Sequence, residues 1–437
     1  MTPLLFLALL GLLAPGAPAP ARAGRPPARS LEGADSLVAA WVASGRIPGA
    51  VLLVVKDGQV ALQRAYGWAR LYEYRDGEYG ASADGESRPS ALRRLADPEP
   101  MTTATVFDLA SVTKVMATTF AVMLLVDRGE VALDVPVHAY LSDFHGGGKD
   151  TITLRHLLTH RSGLQQWVPT YYHASEADAA YAYIRDLPLG WPVGEGRHYS
   201  DLGFMVLGRV VEQVAGMSLD AFLSRELYVP LGLEATGFRR RDVSGSPGGR
   251  LAAEGPGSAG TSAATSHGNP YEHRMVHDTT FGYLIRGDPH AWDAWRRHTL
   301  AGEVNDGNAW HGFGGVAGHA GLFSTARELG VLVQLLLARG EHGGRRFVAA
   351  ATVDAFVASM GEGQALGWQV PEYAPPGSFA HTGFTGTYVL GVPSERLGVV
   401  RLTNRQNVGV DARGRYPDVG PLQRGVVAAL LGPAAGG

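Results

Sequence analysis

The chain has 437 residues, with 38 Lys and Arg against 41 Asp and Glu for a formal net charge of −3, and no cysteine. This near-neutral balance gives no electrostatic footing for nucleic acid, so the expected partners are small molecules. The lack of cysteine excludes disulfides, thiol nucleophiles, thiolate metal sites and an acylated cysteine tether, leaving stability to core size, which a chain of this length can supply as one large unit or two domains.

Met1 to Ala23 holds an apolar run from Leu4 to Leu13 and then Pro/Ala-rich sequence ending Ala21-Arg22-Ala23. This is the short hydrophobic core and small-x-small ending of a secretory signal, its positive charge supplied by the amino terminus alone. The run is too short to span a bilayer. The expectation is a signal peptide over 1–23 and an exported domain over 24–437, periplasmic or secreted, with no stable membrane span after cleavage.

Ser30 to Gly45 reads as an amphipathic helix, with Leu31, Leu37, Val38, Trp41 and Val42 near helical spacing. Ala50 to Val55 and Gln59 to Tyr66 read as strands joined at Asp57-Gly58, a strong hairpin signal. From Leu71 to Met101 the polar, Gly- and Pro-containing sequence predicts an irregular excursion. A helix is expected to begin near Ser111 and run through Met116, Phe120, Met123, Leu124 and Leu125 to Arg128-Gly129. Thr151 to Arg339 is mainly helical in pattern, including Leu202 to Ala215 and Thr325 to Leu337. Arg241 to Asn269, crowded with Gly, Ser, Ala and Pro, predicts a long loop placed to act as a lid. Strands return at Thr387 to Val392 and Leu397 to Leu402, and a helix closes the chain from Leu422 to Leu431. The fold class expected is therefore α/β (α+β). An antiparallel sheet is drawn from about 30–70 and 340–437 and packed by terminal helices, beside a mostly helical part over about 111–339.

Ser111-Val112-Thr113-Lys114 places a hydroxyl and an amine one helical turn apart, on one face. A serine hydroxyl is a poor nucleophile at its free pKa, and an amine that can become neutral is able to take its proton. At a helix amino terminus the free backbone N–H groups also favour developing negative charge. Two further segments follow in order: Tyr199-Ser200-Asp201, in a polar turn leading into an apolar periodic run, and His381-Thr382-Gly383, ahead of strand-like sequence.

With these three segments the chain resembles the penicillin-recognising serine hydrolases. The resemblance is to the branch holding class C β-lactamases, D-alanyl-D-alanine carboxypeptidases and related esterases, which carries Ser-x-x-Lys, Tyr-x-Asn and Lys/His-Thr-Gly elements in that order. Ile152 to Leu164 and Gly318 to Thr325 share the family look, and the resemblance runs from about residue 30 to about residue 430. It implies a β-lactamase/transpeptidase-like fold with the site between its two parts, and a mechanism that needs no cofactor or metal. Ser111 would attack a carbonyl carbon and become acylated, Lys114 would accept the proton, and Tyr199 would relay protons, the choice of base between Lys114 and Tyr199 remaining open. Thr382 and Gly383 would line a strand edge for the substrate, and the N–H groups of Ser111 and Phe384 would form an oxyanion hole.

Two positions depart from the family pattern. Asp201 stands where asparagine is usual, and a carboxylate accepts hydrogen bonds but does not donate them; this favours attraction to Lys114, with a helix N-cap ahead of Leu202 as the purely structural reading. His381 replaces the lysine common in the β-lactamases and, being only partly charged near neutral pH, would hold a substrate carboxylate less firmly. His156 and His160 have a metal-ligand spacing on a predicted helix but lack the acidic residue of a zinc protease motif, so structural hydrogen bonding is expected. His267, His273, His277 and Asp278 read as a polar loop, and His319, among glycines, is placed to face the cleft.

The functional expectation is an exported serine hydrolase that acts through an acyl-enzyme on Ser111, on a D-amino-acid peptide or amide or a small ester, with peptidoglycan as a source of substrate. A β-lactamase is the alternative within the class. A catalytically silent scaffold for cell-wall fragments or another protein is the alternative outside it.

Overall fold

Apolar alternation at both ends of the chain builds one six-stranded antiparallel sheet. The computed structural model describes residues 30–74, 92–241, 261–283, 286–411 and 413–432, so the signal-like segment and most of the predicted loop after Arg241 lie outside the described residues. Helix α1 (Leu31–Ala43) is capped by Ser30, whose side chain accepts the Gly33 N–H at 3.0 Å. Strands β1 (Gly49–Lys56) and β2 (Gln59–Tyr74) meet at Asp57-Gly58, whose φ angles of 52° and 78° are the left-handed pair that a tight hairpin requires.

The predicted excursion over Leu71 to Met101 is corrected at its two ends, residues 75–91 lying outside the described residues. Strand β2 runs on to Tyr74 and β3 (Leu92–Pro100) pairs with it. This ribbon forms the sheet's outer edge and is held by charged cross-strand contacts, Arg93 with Glu73 and Arg70 with Glu99 at 3.7 Å. Its composition is polar because β3 has no fully buried residue, which is why pattern alone read it as loop.

Two-residue β4 (Phe107–Asp108) leads to Ser111. A single π-helical turn, Lys114–Thr118, then runs into α2 (Thr119–Asp127), buried throughout its first two turns. Next come α3 (Leu154–Leu158), α4 (Asp201–Ala215), β5 (Gly237–Phe238), α5 (Pro270–His277), β6 (Leu322–Ser324) and α6 (Ala326–Leu337). Strand β6 pairs with both β4 and β5 in a small sheet that pins the segment before Ser111. Ala264–His267, expected as loop, is a strand paired with Thr299–Ala301.

The chain returns through β7 (Phe379–Thr382), β8 (Thr387–Val392) and β9 (Leu397–Thr403) to α7 (Gly420–Leu431). The large sheet has the order β7-β8-β9-β1-β2-β3, with β9 and β1 joining the two ends of the chain in the middle. Its faces separate by the period-2 rule. Ala50, Leu52, Val54 and Val399 pack under α1 and α7, whereas Val51, Leu53, Val400 and Leu402 join the large core shared with α2, α4 and α6. Among the described residues no single helix is long and apolar enough to cross a membrane.

Helix α4 crosses the loop before β6 so closely that a Cβ on Gly318 would stand 1.9 Å from the Phe204 carbonyl oxygen. Gly318→Ala is therefore expected to cost about 1–3 kcal/mol through overpacking. Calorimetry should show a lowered melting midpoint, and an unchanged midpoint would mean that this contact is not tight.

Candidate active site

The cleft is assembled where β4, α4 and the β7 edge converge. Ala110, immediately before Ser111, has φ +46°, a left-handed conformation uncommon for a residue with a Cβ. The turn is held by Asp108: one carboxylate oxygen accepts the Ala110 N–H at 2.8 Å and the other the Asn305 N–H at 2.5 Å. Burial pushes the Asp108 carboxyl up to about 6, against the pull of those two N–H donors.

From this turn Ser111 meets Lys114. The Lys114 Nζ donates to Ser111 Oγ at 3.0 Å and to the His319 carbonyl at 3.3 Å, and lies 2.6 Å from Asp201 Oδ1. The Tyr199 ring centroid is 4.9 Å from the ammonium, and the Tyr199 hydroxyl interacts with both Lys114 and Ser111. One alcohol, one amine, one phenol and one carboxylate from two distant stretches thus share a single site. Ser111, Tyr199 and Asp201 line a cleft of about 720 Å³, and Lys114, fully buried, stands behind them.

The protonation state follows from the packing. Burial by itself would depress the Lys114 ammonium, but the Asp201 carboxylate and the Tyr199 oxygen outweigh it, so Lys114 sits above the ordinary lysine value. Burial likewise raises the Tyr199 hydroxyl above a free phenol, and the neighbouring Lys114 charge opposes this only in part. The resting site is therefore an ammonium–carboxylate pair beside a neutral phenol and a neutral serine. Ser200, not Asp201, caps α4: its side chain accepts the Gly203 N–H at 3.1 Å, and Asp201 is the first helical residue, free to face Lys114.

The third segment closes the other wall. Gly383 must be glycine here, because a Cβ would stand 2.0 Å from Thr387 Oγ1 and 2.4 Å from the Leu109 carbonyl. The hydroxyls of Thr385 and Thr387 fasten the β7–β8 turn to the carbonyls of Asp108 and Leu109 at 2.8 and 2.9 Å. The backbone N–H groups of Ser111 and Phe384 donate to no acceptor among the described residues. Arg405 holds the Phe384 carbonyl at 2.7 Å, and the Phe384 ring, 39% exposed, lies 5.0 Å from that of Tyr271. Thr382 and Gly383 line the cleft. His381 does not: it is buried behind them, its Nδ1 engaged with the Thr382 carbonyl at 2.8 Å and its Nε2 without a partner. Burial, aided by Lys114, brings His381 down to about 3, so the expected partial charge is replaced by a neutral imidazole.

The other histidines divide differently from their sequence spacing. His156 belongs to a capping box at α3, whereas His160 lies beyond that helix with φ +58°, so the two do not share a helical face. The His160 Nδ1 accepts the Ser200 N–H at 3.0 Å, and its ring lies 4.4 Å from that of Tyr199, making it a support for the second segment. His319 is buried rather than lining the cleft; its Nε2 is 2.9 Å from Asp306, which does line it. Asp201, Asp306 and His319 bring ligand-type atoms within 4.8 Å of one another, but the two carboxylates are already engaged by Lys114 and His319. Sequence reasoning passed over Asp108, Arg197, Glu272 and Asp306, none of which stands in a recognisable motif. Glu272 is fully enclosed, and burial together with the Asp306 charge raises its carboxyl.

Fold and cleft together are those of a serine hydrolase, with Ser111 between an antiparallel sheet and a helical part. A family model described as Beta-lactamase matches residues 34–420, and the chain belongs to that family. It is 32% identical over 416 residues to an N-acetylmuramyl-L-alanine amidase of Bacillus subtilis (strain 168), covering 90% of this chain and 84% of the relative. It is 31% identical over 405 residues to a candidate D-alanyl-D-alanine carboxypeptidase of Escherichia coli O157:H7, covering 85% and 82%. A penicillin-binding protein homologue from Caulobacter crescentus has the same fold, with a TM-score of 0.62 at 18% identity over 93% of this chain and 98% of that one.

If Asp201 keeps Lys114 cationic, turnover of a neutral ester should rise with pH as a proton leaves the Lys114–Tyr199 pair. Asp201→Asn removes the carboxylate that raises Lys114, so burial prevails and the rising limb should move to lower pH. A pH–rate profile with the limb unmoved, or moved upward, would contradict this assignment.

Proposed function

We propose that this protein is an exported serine amidase that cleaves a D-amino-acid-containing peptide derived from the cell wall through an acyl-enzyme on Ser111. The observation that carries the reading is the meeting of Ser111, Lys114, Tyr199 and Asp201 in one cleft. Once the Lys114–Tyr199 pair has given up a proton to solvent, Ser111 Oγ attacks the carbonyl carbon and its own proton passes into the vacancy on that pair. The oxyanion points at the N–H groups of Ser111 and Phe384, and the amine leaves with a proton returned from the pair. Water then takes the place of the amine and releases the acid.

Two relatives that align over most of the chain are named as an N-acetylmuramyl-L-alanine amidase and a candidate D-alanyl-D-alanine carboxypeptidase, both acting on amide bonds, which favours an amide over a simple ester. The neutral, buried His381 offers no charge from the His-Thr-Gly strand to a β-lactam carboxylate, unlike the lysine common in the β-lactamases. Export rests on the signal-like segment Met1 to Ala23. The silent-scaffold alternative would require the hydrogen-bonded Ser111–Lys114 pair to go unused.

Intact-mass analysis after treatment with a fluorescent penicillin or a fluorophosphonate should show one adduct, mapped to Ser111. Turnover of a short-chain aryl ester should fall by at least about 100-fold in Ser111→Ala and in Lys114→Ala, with the fold retained by circular dichroism. No adduct with either reagent, or undiminished turnover in either variant, would defeat the reading.

A further inference from the structure

We propose that Arg197 binds a carboxylate of the substrate, supplying from the second segment the positive charge that this chain lacks on its His-Thr-Gly strand. The inference rests on the cleft being the substrate site, as in the preceding section, and adds the ligand class and the residue that selects it.

Three arginines line the cleft: Arg197, Arg401 and Arg405. Arg405 is committed to the protein, with Nε and Nη2 on the Phe384 carbonyl and Nη1 on that of Pro417. Arg401 points to the face of β9 covered by α1 and α7, where Nη1 donates to the Val419 carbonyl at 3.1 Å. Arg197 differs from both. Its Nε donates to Gln364 Oε1 at 2.9 Å, and among the described residues Nη1 and Nη2 meet no acceptor and no carboxylate. The acid that Arg197 senses, Glu362, is already paired with Arg161 at 2.8 Å.

The guanidinium is also held in place beforehand. Gln364, its anchor, is buried and donates to the carbonyls of Leu158 and Ala365 at 3.4 and 2.9 Å. On the chain side, the His198 N–H bonds the His160 carbonyl at 2.8 Å, and the Ser200 N–H bonds the His160 ring. Arg197 is thus fixed two residues ahead of Tyr199, near enough for its charge to act on Tyr199, His160 and His381.

Charge bookkeeping around Ser111 then leaves one open position. Lys114 is matched by Asp201, Arg405 is turned to backbone carbonyls, Arg401 is buried with its Nη1 on the Val419 carbonyl, and the imidazole of His381 is neutral. A guanidinium with one edge anchored and two terminal nitrogens free is the geometry for a two-point contact with a carboxylate, which a lysine ammonium would make only as a point charge. The substrate class is therefore a peptide amide bearing a free carboxylate close to the scissile bond, as at the carboxyl end of a short peptide.

The test compares N-acyl-D-alanyl-D-alanine as the free acid with its carboxyl-terminal amide, in the full chain and in Arg197→Gln and Arg197→Lys. Two readouts are taken: kcat/KM in the Ser111 enzymes, and dissociation constants by calorimetry in a Ser111→Ala background. The acid should be preferred by the parent in both, and Arg197→Gln should reduce the acid-to-amide ratio by about 10- to 100-fold, the range for a charge-assisted contact. Arg197→Lys should restore part of it. A parent that does not discriminate, a ratio unchanged in Arg197→Gln, or an equal loss for acid and amide would overturn the assignment. The two proposals fail separately: an absent Ser111 adduct defeats the acyl-enzyme, while carboxylate selection in the Ser111→Ala background reports on Arg197 alone.

Discussion

The ion pair between Lys114 and Asp201 is the interaction around which the rest of the site is arranged. An ammonium with no exposed surface is tolerable only if an opposite charge reaches it, and removing either partner from such a pair leaves an uncompensated buried charge. Asp201 reaches it as the first residue of α4, where the helix amino terminus also favours a carboxylate, while Ser200 takes over the capping. Once paired, Lys114 has a fixed direction in which to donate to Ser111, and its protonation is set by Asp201 as much as by burial. The family pattern has an uncharged amide at that position. In this chain the carboxylate holds Lys114 protonated, so in the proposed chemistry a proton must leave before a base can form.

Rigidity of the surrounding backbone makes this pair useful. The turn carrying Ser111 is strained at Ala110 and is tied down by Asp108, by the β4–β6 pairing and by two threonine hydroxyls from the β7–β8 turn. The turn of the proposed nucleophile and the edge strand that would receive substrate are thus bonded to each other rather than merely adjacent. Gly383 and Gly318 serve the same purpose in the negative sense: each allows a backbone to come closer than a Cβ would permit. The result is a preorganised wall in which, among the described residues, two N–H groups remain without acceptors, the condition an oxyanion requires.

Much of this was legible from residues alone where local chemistry decides the outcome. The Asp57-Gly58 hairpin, the strands over Thr387–Val392 and Leu397–Thr403, and the helix over Gly420–Leu431 carry signals that tertiary context did not override. The β2–β3 ribbon did not, because an edge exposed on both sides has the composition of a loop. His160 misled for a related reason: a four-residue spacing implies a shared face only if the helix continues, and α3 ends at Leu158. Asp108, Arg197, Glu272 and Asp306 were silent, because their roles come from which partners they meet or lack, and no local pattern encodes that.

By itself, the order of chemical groups along this chain determined the family, the architecture and the choice of Ser111 as candidate nucleophile. Those depend on periodicity, turn chemistry and a few residue types at short spacing, all of which act within a dozen residues. Only the tertiary structure decided the charge state. Whether Lys114 is an ammonium, whether His381 carries a proton and whether Arg197 has a partner depend on burial and on neighbours brought from distant stretches, and a charge is governed by what surrounds it in space.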